Sequence, residues 1–176
     1  MSTSRHAATA VLVAALVPAL AGCGNFITTE IVGMVGVTAD ADGHPVVIVA
    51  PCGAAIDRMH VVELLDRSKV NEQETNPVLL ELARSAAITG PTTLNLAAPG
   101  DWTPEGSFDP AAQAAVVIGA ASSTKDQSAT PVQVTTAQYA DLDASHVRVR
   151  EDEVWTRVDF DALACRRDAW PSVTRS

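Results

Sequence analysis

The alternation of apolar and polar positions favours strands along most of the chain. Two apolar runs, at residues 31–37 and 46–50, flank the dipeptide Asp42-Gly43. An Asp-Gly pair between two strand-like runs is typical of a tight β-hairpin turn. We therefore expect residues 31–50 to form a hairpin.

Further short runs with strand character follow, separated by polar stretches rich in turn-forming residues. The predicted strands lie at residues 56–65, 92–97, 114–120, 132–134, 146–150 and 154–158. The predicted loops are 66–77, 99–110 and 122–131. Residues 78–87 fit a strand or a short helix equally well, and periodicity alone leaves both open.

Helices are expected only as short segments between strands. Thr135 and Gln138 have the spacing of a capping box, which predicts a helix over residues 137–142. Asp159 is expected to cap a last turn over 160–165. The pattern as a whole predicts a mainly β fold, either a β-sandwich or a small α+β sheet domain with one or two short helices.

The first 22 residues have the layout of a secretory signal. A short polar segment containing Arg5 precedes an uncharged run, residues 7–21, which Pro18 interrupts. A helix needs roughly 20 apolar residues to cross the hydrocarbon core of a bilayer. The run is too short for that, so we expect residues 1–22 to be a removed signal peptide.

The end of this signal resembles the lipobox of bacterial lipoproteins. Leu20, Ala21, Gly22 and Cys23 match that pattern at all four positions. The resemblance implies that a signal peptidase recognises the first three residues and cuts before Cys23, whose thiol carries a diacylglyceryl group. Two or more acyl chains would hold the protein on the outer face of the cell membrane, since each buried methylene contributes ~0.8 kcal/mol. An ordinary signal peptide that ends near a cysteine is the alternative.

Removal of 22 residues from 176 leaves 154, which is enough for one domain with its own core. We expect a lipidated tether at residues 23–30, one mainly β domain at 31–166 and a frayed tail at 167–176. The arginine-, alanine- and valine-rich composition and the ending DFDALAC also resemble small uncharacterised lipoproteins of high-GC Gram-positive bacteria. That resemblance implies no particular activity.

Charge and cysteine content narrow the function classes. The formal charge of −9 becomes −10 once Arg5 leaves, which argues against nucleic-acid binding and against lying flat on anionic lipid. With Cys23 lipidated, Cys52 and Cys165 remain as a pair in an oxidising compartment, which predicts a disulfide. A redox pair or metal site is the alternative, although the chain has no CxxC motif.

Two short motifs resemble known sites only in part. Asp40, Asp42 and Gly43 follow a calcium-loop spacing, but Thr38 and Val49 stand where that loop has acids, so a hairpin turn is favoured. Ser122 and Lys125 have the SxxK spacing of penicillin-recognising enzymes, but the chain has no KTG triad. We predict neither a metal site nor a catalytic serine, and no cofactor.

The remaining polar residues are scattered and are interpreted as surface groups. His44, His60 and His146 lack any metal-binding spacing. The acidic pairs, Asp141 with Asp143 and Glu151 with Glu153, are typical of solvated turns. Three arginines could share one face of the terminal hairpin: Arg148, Arg150 and Arg157. A ladder of ion pairs with nearby acids is favoured there over a site for an acidic partner.

Two functions therefore stay open on the sequence alone. The first is a non-catalytic envelope module that contacts another envelope protein or a wall polymer through loop 99–110, with Trp102 and Phe108 as candidate contacts. The second is a small-molecule binder or hydrolase, with Asp57, His60 or the Ser122 loop around a pocket. An exposed Trp102 on a flat surface would favour the first function, and a pocket that gathers His60, Asp57 or the Ser122 loop around a cavity would favour the second.

Overall fold

The computed structural model describes residues 29–66, 68 and 74–170. Within them the chain forms a mainly β domain, as predicted, with eleven strands and two short helices. The strands are β1 (Glu30–Ala39), β2 (Pro45–Ala50), β3 (Ile56–Glu63), β4 (Val78–Ile88), β5 (Thr92–Asn95), β6 (Thr103–Gly106), β7 (Ala115–Ala121), β8 (Gln127–Thr130), β9 (Val132–Thr135), β10 (His146–Arg148) and β11 (Val154–Thr156). The helices are α1 (Thr136–Ala140) and α2 (Arg157–Leu163).

All strands belong to one curled, mixed sheet. One half is built on β1, which pairs with β2 on one edge and with β8 and β10 on the other; β5 extends this half beyond β2. In the other half β3 lies between β4 and β7, and β6 extends it beyond β4. The β8–β9 segment joins the halves, because β8 runs parallel to β1 while β9 pairs antiparallel with β7.

Two hydrophobic clusters hold the sheet together. The larger cluster fills the space inside the curl and draws on both halves, for example Val35 of β1, Val47 of β2, Met59 of β3 and Ile118 of β7. The smaller cluster lies on the other face of β1 and β2, where Phe160 of α2 covers Met34 and Ile48. Strands β1 and β2 are therefore buried on both faces, which explains their nearly continuous apolar sequences.

Most predicted strands are present, and residues 78–88 are a strand. Two predicted loops contain strands: β6 lies within 99–110 and β8 within 122–131. The hairpin strand β11 ends at Thr156, and Arg157 belongs to α2. Thr156, not Asp159, is the N-cap of α2, since its hydroxyl accepts from the Asp159 N–H; the capping box of Thr135 and Gln138 is confirmed.

The described residues begin within the predicted tether and end within the predicted tail. The signal segment, Leu20 to Gly22 and Cys23 lie outside the described residues. At the other end, residues 167–170 pack against the domain: the Trp170 indole N–H donates to the Ala164 carbonyl at 2.8 Å. Neither described helix is long and apolar enough to span a membrane.

Candidate functional site

The predicted disulfide is present, and it forms part of the wall of a cavity. Cys52 follows β2 and Cys165 follows α2, with their Cα atoms 5.2 Å apart and a sequence separation of 113. Both cysteines are exposed. The cavity beside them has a volume of about 330 Å³, and Glu30, Lys125, Arg167 and Trp170 also line it.

Cys52 lies at a conformationally demanding point of the β2–β3 connection. The Ala54 N–H donates to the Pro51 carbonyl at 3.0 Å, which closes a four-residue turn. Both central residues have positive φ, 53° at Cys52 and 87° at Gly53. This is the type I′ pattern, which favours Asn-Gly, so a cysteine at its first central position is strained.

The other wall of the cavity comes from the chain after α2. The Arg167 guanidinium lies 5.8 Å from the centroid of the Trp170 ring. The same guanidinium reaches Glu30 at the start of β1, with 3.4 Å between Nη2 and Oε1. Residues at the two ends of the described chain therefore meet at the cavity.

Charged groups surround the cavity without cancelling. The Gln127 amide donates to Glu30 Oε2 at 2.9 Å, and this hydrogen bond is the main reason why the pKa of Glu30 is lowered. Lys125 adds a second cation, which makes no side-chain hydrogen bond or salt bridge to the part of the chain that the structure describes. The charged lining, one carboxylate against two cations, is positive in a protein whose total charge is −9.

The SxxK spacing does not produce a serine–lysine pair. The Ser122 hydroxyl is 3.4 Å from that of Thr124, and Ser123 binds Asp57 through both its hydroxyl (2.5 Å) and its N–H (2.7 Å). Burial acts to raise the pKa of Asp57, but the two hydrogen bonds from Ser123 outweigh it, so the net shift is downward. A carboxylate with a lowered pKa is a poor general base, so the pair is best explained as a loop anchor.

The Asp40 turn brings together three potential metal ligands, but they are already bonded to one another. Ligand atoms of Asp40, Asp42 and His44 lie within 4.8 Å. Asp40 Oδ1 accepts the N–H groups of Asp42 and His44, and its Oδ2 contacts the His44 ring and the Asn95 amide at 3.3 Å each. These bonds build the predicted hairpin turn between β1 and β2.

The histidines lie on separate elements. His44 is in the β1–β2 turn, His60 is on β3 and His146 opens β10. His60 pairs in register with Glu81 and Gly119, and burial lowers its pKa. His146 contacts Asp143, whose pKa is lowered to about 2, mainly by the Ser145 hydroxyl and then by His146.

The acidic turns bond to neighbouring side chains, and the three arginines do not share one face. Asp143 bonds Ser145 and His146, and Glu153 accepts the Trp155 indole N–H at 2.7 Å. Arg157 lies on α2 and pairs with Asp161 at 3.2 Å, so the expectation that it shares the hairpin face with Arg148 and Arg150 is wrong.

The aromatic residues of loop 99–110 do not form an exposed contact surface. Trp102 is only 4% exposed and belongs to the larger core cluster, so the exposed Trp102 that would favour a contact surface at this loop is not found. Arg84 covers its ring at 6.0 Å from the centroid. Phe108 packs against the same core, 6.1 Å from the Tyr139 ring.

Sequence reasoning missed the cavity itself. The SxxK spacing relates Lys125 only to Ser122, and the sequence pattern predicts a frayed tail for residues 167–170. The available signal was the position of Cys165 just before Arg167 and Trp170, because a disulfide fixes its neighbours as well as itself. Searches with the chain find no matching family model, no matching curated protein and no matching solved structure.

Proposed function

We propose that this chain is an exported, lipid-anchored protein of the cell envelope, and that its folded domain is a non-catalytic interaction module. The observation that carries the proposal is the Cys52–Cys165 disulfide. Such bonds persist in oxidising compartments outside the cytoplasm. The lipobox pattern at Leu20–Cys23 supports the same location independently.

The arrangement of polar groups supports a binding role over a catalytic one. Ser123 donates a hydrogen bond to Asp57, the His60 ring packs against Gly119, and Asp40 accepts hydrogen bonds within its own turn. Each group that resembles part of a catalytic site thus has a structural task. With Trp102 and Phe108 packed in the core, the module's contact surface for an envelope protein or wall polymer lies elsewhere.

A second candidate function is the binding of a small molecule in the cavity beside the disulfide. The observation in its favour is the volume of about 330 Å³ with a positive lining. Ligand sites in proteins begin at roughly this size. Small anions that raise the melting temperature of the purified chain, and fail to do so for Arg167→Gln, would favour this function over a purely protein-binding one.

Lipidation is tested by intact mass and by fractionation of producing cells. Wild type and Thr28→Ser, a matched change in the tether, should lose residues 1–22, gain the mass of the acyl groups and sediment with membranes. Cys23→Ser should gain no acyl mass. A wild-type protein that is cut elsewhere, or that carries no acyl group, would overturn the proposed anchor.

The interaction role is tested by cross-linking intact cells and identifying the captured proteins. The same partner, captured by wild type and Thr28→Ser but lost with Cys23→Ser, would support a module that works at the membrane. Capture of no recurrent partner or wall fragment would contradict the interaction role, whatever the state of Cys23.

A further inference from the structure

The geometry points to a thiol–disulfide exchange site: we propose that the cavity receives an anionic thiol, which attacks the Cys52–Cys165 bond in the folded protein. The bond would then be a reversible link that an envelope thiol or dithiol can open and close. This inference does not depend on the lipid anchor, because it concerns only the folded domain.

The first argument is access. A structural disulfide in a protein core is shielded from thiols by the surrounding packing, and it is reduced only when the protein opens. Here both cysteines are exposed, and they line a cavity large enough to hold a small thiol. A nucleophile can therefore approach the bond without unfolding of the sheet.

The second argument is the conformation of Cys52. A non-glycine residue in the left-handed region is strained, because its Cβ lies too close to the following carbonyl oxygen. Cys52 has a φ of 53° in the turn that the Ala54–Pro51 hydrogen bond closes, and its side chain forms the disulfide. Strained and exposed disulfides are the labile ones, so the turn favours opening of this bond.

The third argument is charge. The attacking species in exchange is the thiolate, not the thiol. Lys125 and Arg167 line the cavity, and Lys125 has no salt bridge within the described ranges. The two cations outnumber Glu30, so the cavity attracts a thiolate and any further negative charge on the same molecule, in a protein whose net charge is −9.

The carbonyl oxygens around Cys52 Sγ indicate which of the two sulfur atoms the thiolate attacks. Cys52 Sγ lies 3.4 Å from the Ala50 carbonyl oxygen and 3.6 Å from that of Ala164, so negative charge is disfavoured there. The thiolate therefore attacks Cys52 Sγ, and the electron pair of the broken S–S bond leaves on Cys165 Sγ, which takes a proton from water. A second small thiol then attacks the outer sulfur of the mixed disulfide, and Cys52 Sγ takes a proton as it leaves. The two small thiols end as one disulfide, and Cys52 and Cys165 are both reduced.

The experiment compares two small thiols of opposite charge on the full-length chain in a non-ionic detergent. The probes are 2-mercaptoethanesulfonate, an anion, and cysteamine, a cation. For each thiol, the rate of disulfide reduction in the folded chain is divided by the rate in concentrated urea. This ratio corrects for the different intrinsic reactivities of the two thiols. At low salt we expect a normalised rate about tenfold higher for the anion, with the first adduct on Cys52 by mass spectrometry.

Variants separate the cavity from general surface charge. Lys125→Gln and Arg167→Gln should each reduce the anion preference several-fold. Arg166→Gln is the matched control, since Arg166 neighbours Cys165 but pairs with Asp168 at 2.6 Å and does not line the cavity. An equal loss of preference in Arg166→Gln, or no preference in wild type, would overturn the role of the cavity, and a first adduct on Cys165 would overturn the direction of attack.

A destabilised variant tests whether the bond is attacked in the folded state. Leu82→Ala should weaken the fold in the other half of the sheet, since Leu82 on β4 is buried in the larger cluster and does not line the cavity. Direct attack predicts a reduction rate within about twofold of wild type. A rate that rises in proportion to the loss of stability would show that reduction requires unfolding, and the bond would then be a purely structural link.

Discussion

Phe160 of α2 packs directly on Gly36 in the middle of β1. A Cβ atom on Gly36 would overlap Val147 Cγ1 and would lie 2.8 Å from Phe160 Cε2. Phe160 is fully buried, although α2 has only seven residues. The absence of a side chain at Gly36 is therefore what lets α2 and β10 cover the outer face of β1.

Gly36→Ala should destabilise the protein by about 1 to 3 kcal/mol, because Phe160 and Val147 must shift to accept the added methyl group. Urea unfolding followed by circular dichroism measures the change. Gly90→Ala is the control, since a Cβ there meets no atom within 4 Å and the change should stay within about 0.5 kcal/mol. Equal effects of the two substitutions would show that Phe160 does not lie on Gly36 as described.

Phe160→Ala should cost about 3 to 5 kcal/mol, since it leaves a cavity in the smaller cluster. Val158 lies two residues earlier on the same helix and is 77% exposed. Val158→Ala should therefore change the free energy of unfolding by less than about 0.5 kcal/mol. A loss below about 1 kcal/mol for Phe160→Ala would mean that α2 is not a stable cover of the sheet.

The sequence predicts the strands whose apolar residues face one or both sides of the sheet. It misses strands that lack such a pattern. The β1–β2 hairpin follows from Asp42-Gly43 and its apolar flanks. Strand β6 is fully exposed and contains Pro104, so neither periodicity nor strand propensity marks it. It exists because its backbone pairs with β4, a contact between residues about 20 positions apart.

Of the candidate site, only the disulfide could be predicted from the sequence. The pairing of Cys52 with Cys165 followed from cysteine counting. The cavity depends on Glu30, Lys125 and Arg167, which come from three distant segments and have no spacing in common. Their meeting results from the parallel pairing of β1 with β8 and from the fold of the chain after α2, and such long-range contacts leave no local signature.

The turn at Cys52 predicts an unusual order of stabilities among variants without the disulfide. Because Cys52 has a φ of 53°, glycine suits the position better than serine once the link is gone. The pair Cys52→Gly with Cys165→Ser should therefore be about 1 kcal/mol more stable than Cys52→Ser with Cys165→Ser. Urea unfolding of the two double variants gives the difference directly.

Both double variants should be less stable than the oxidised wild type. A link across 113 residues removes unfolded-chain entropy worth on the order of 4 to 5 kcal/mol. If the serine variant proved as stable as the glycine variant, the left-handed conformation of Cys52 would be a consequence of the disulfide and not a property of the turn.

His60 should make the stability depend on pH in the neutral to mildly acidic range. Its ring lies against Gly119, where a Cβ would overlap Nε2, and burial lowers the pKa of His60 below the ordinary value of 6.5, although Glu81 partly opposes the shift. The unfolded chain therefore binds a proton more readily than the folded one. The stabilising contribution is complete above pH 6.5 and is lost as the pH falls towards the lower pKa of the folded state.

The measurement is urea unfolding at several pH values from about 7.5 to about 5, together with an NMR titration of the His60 ring. Wild type should lose stability over this range, and His60→Gln should lose less, because glutamine does not titrate. Asp143 has a pKa of about 2 in the folded chain, below its ordinary value of 3.8. It therefore changes the free energy of unfolding only at pH values below the measured range. Equal slopes in wild type and His60→Gln would show that the imidazole is as easily protonated in the sheet as in water, and that its packing against Gly119 does not exclude solvent.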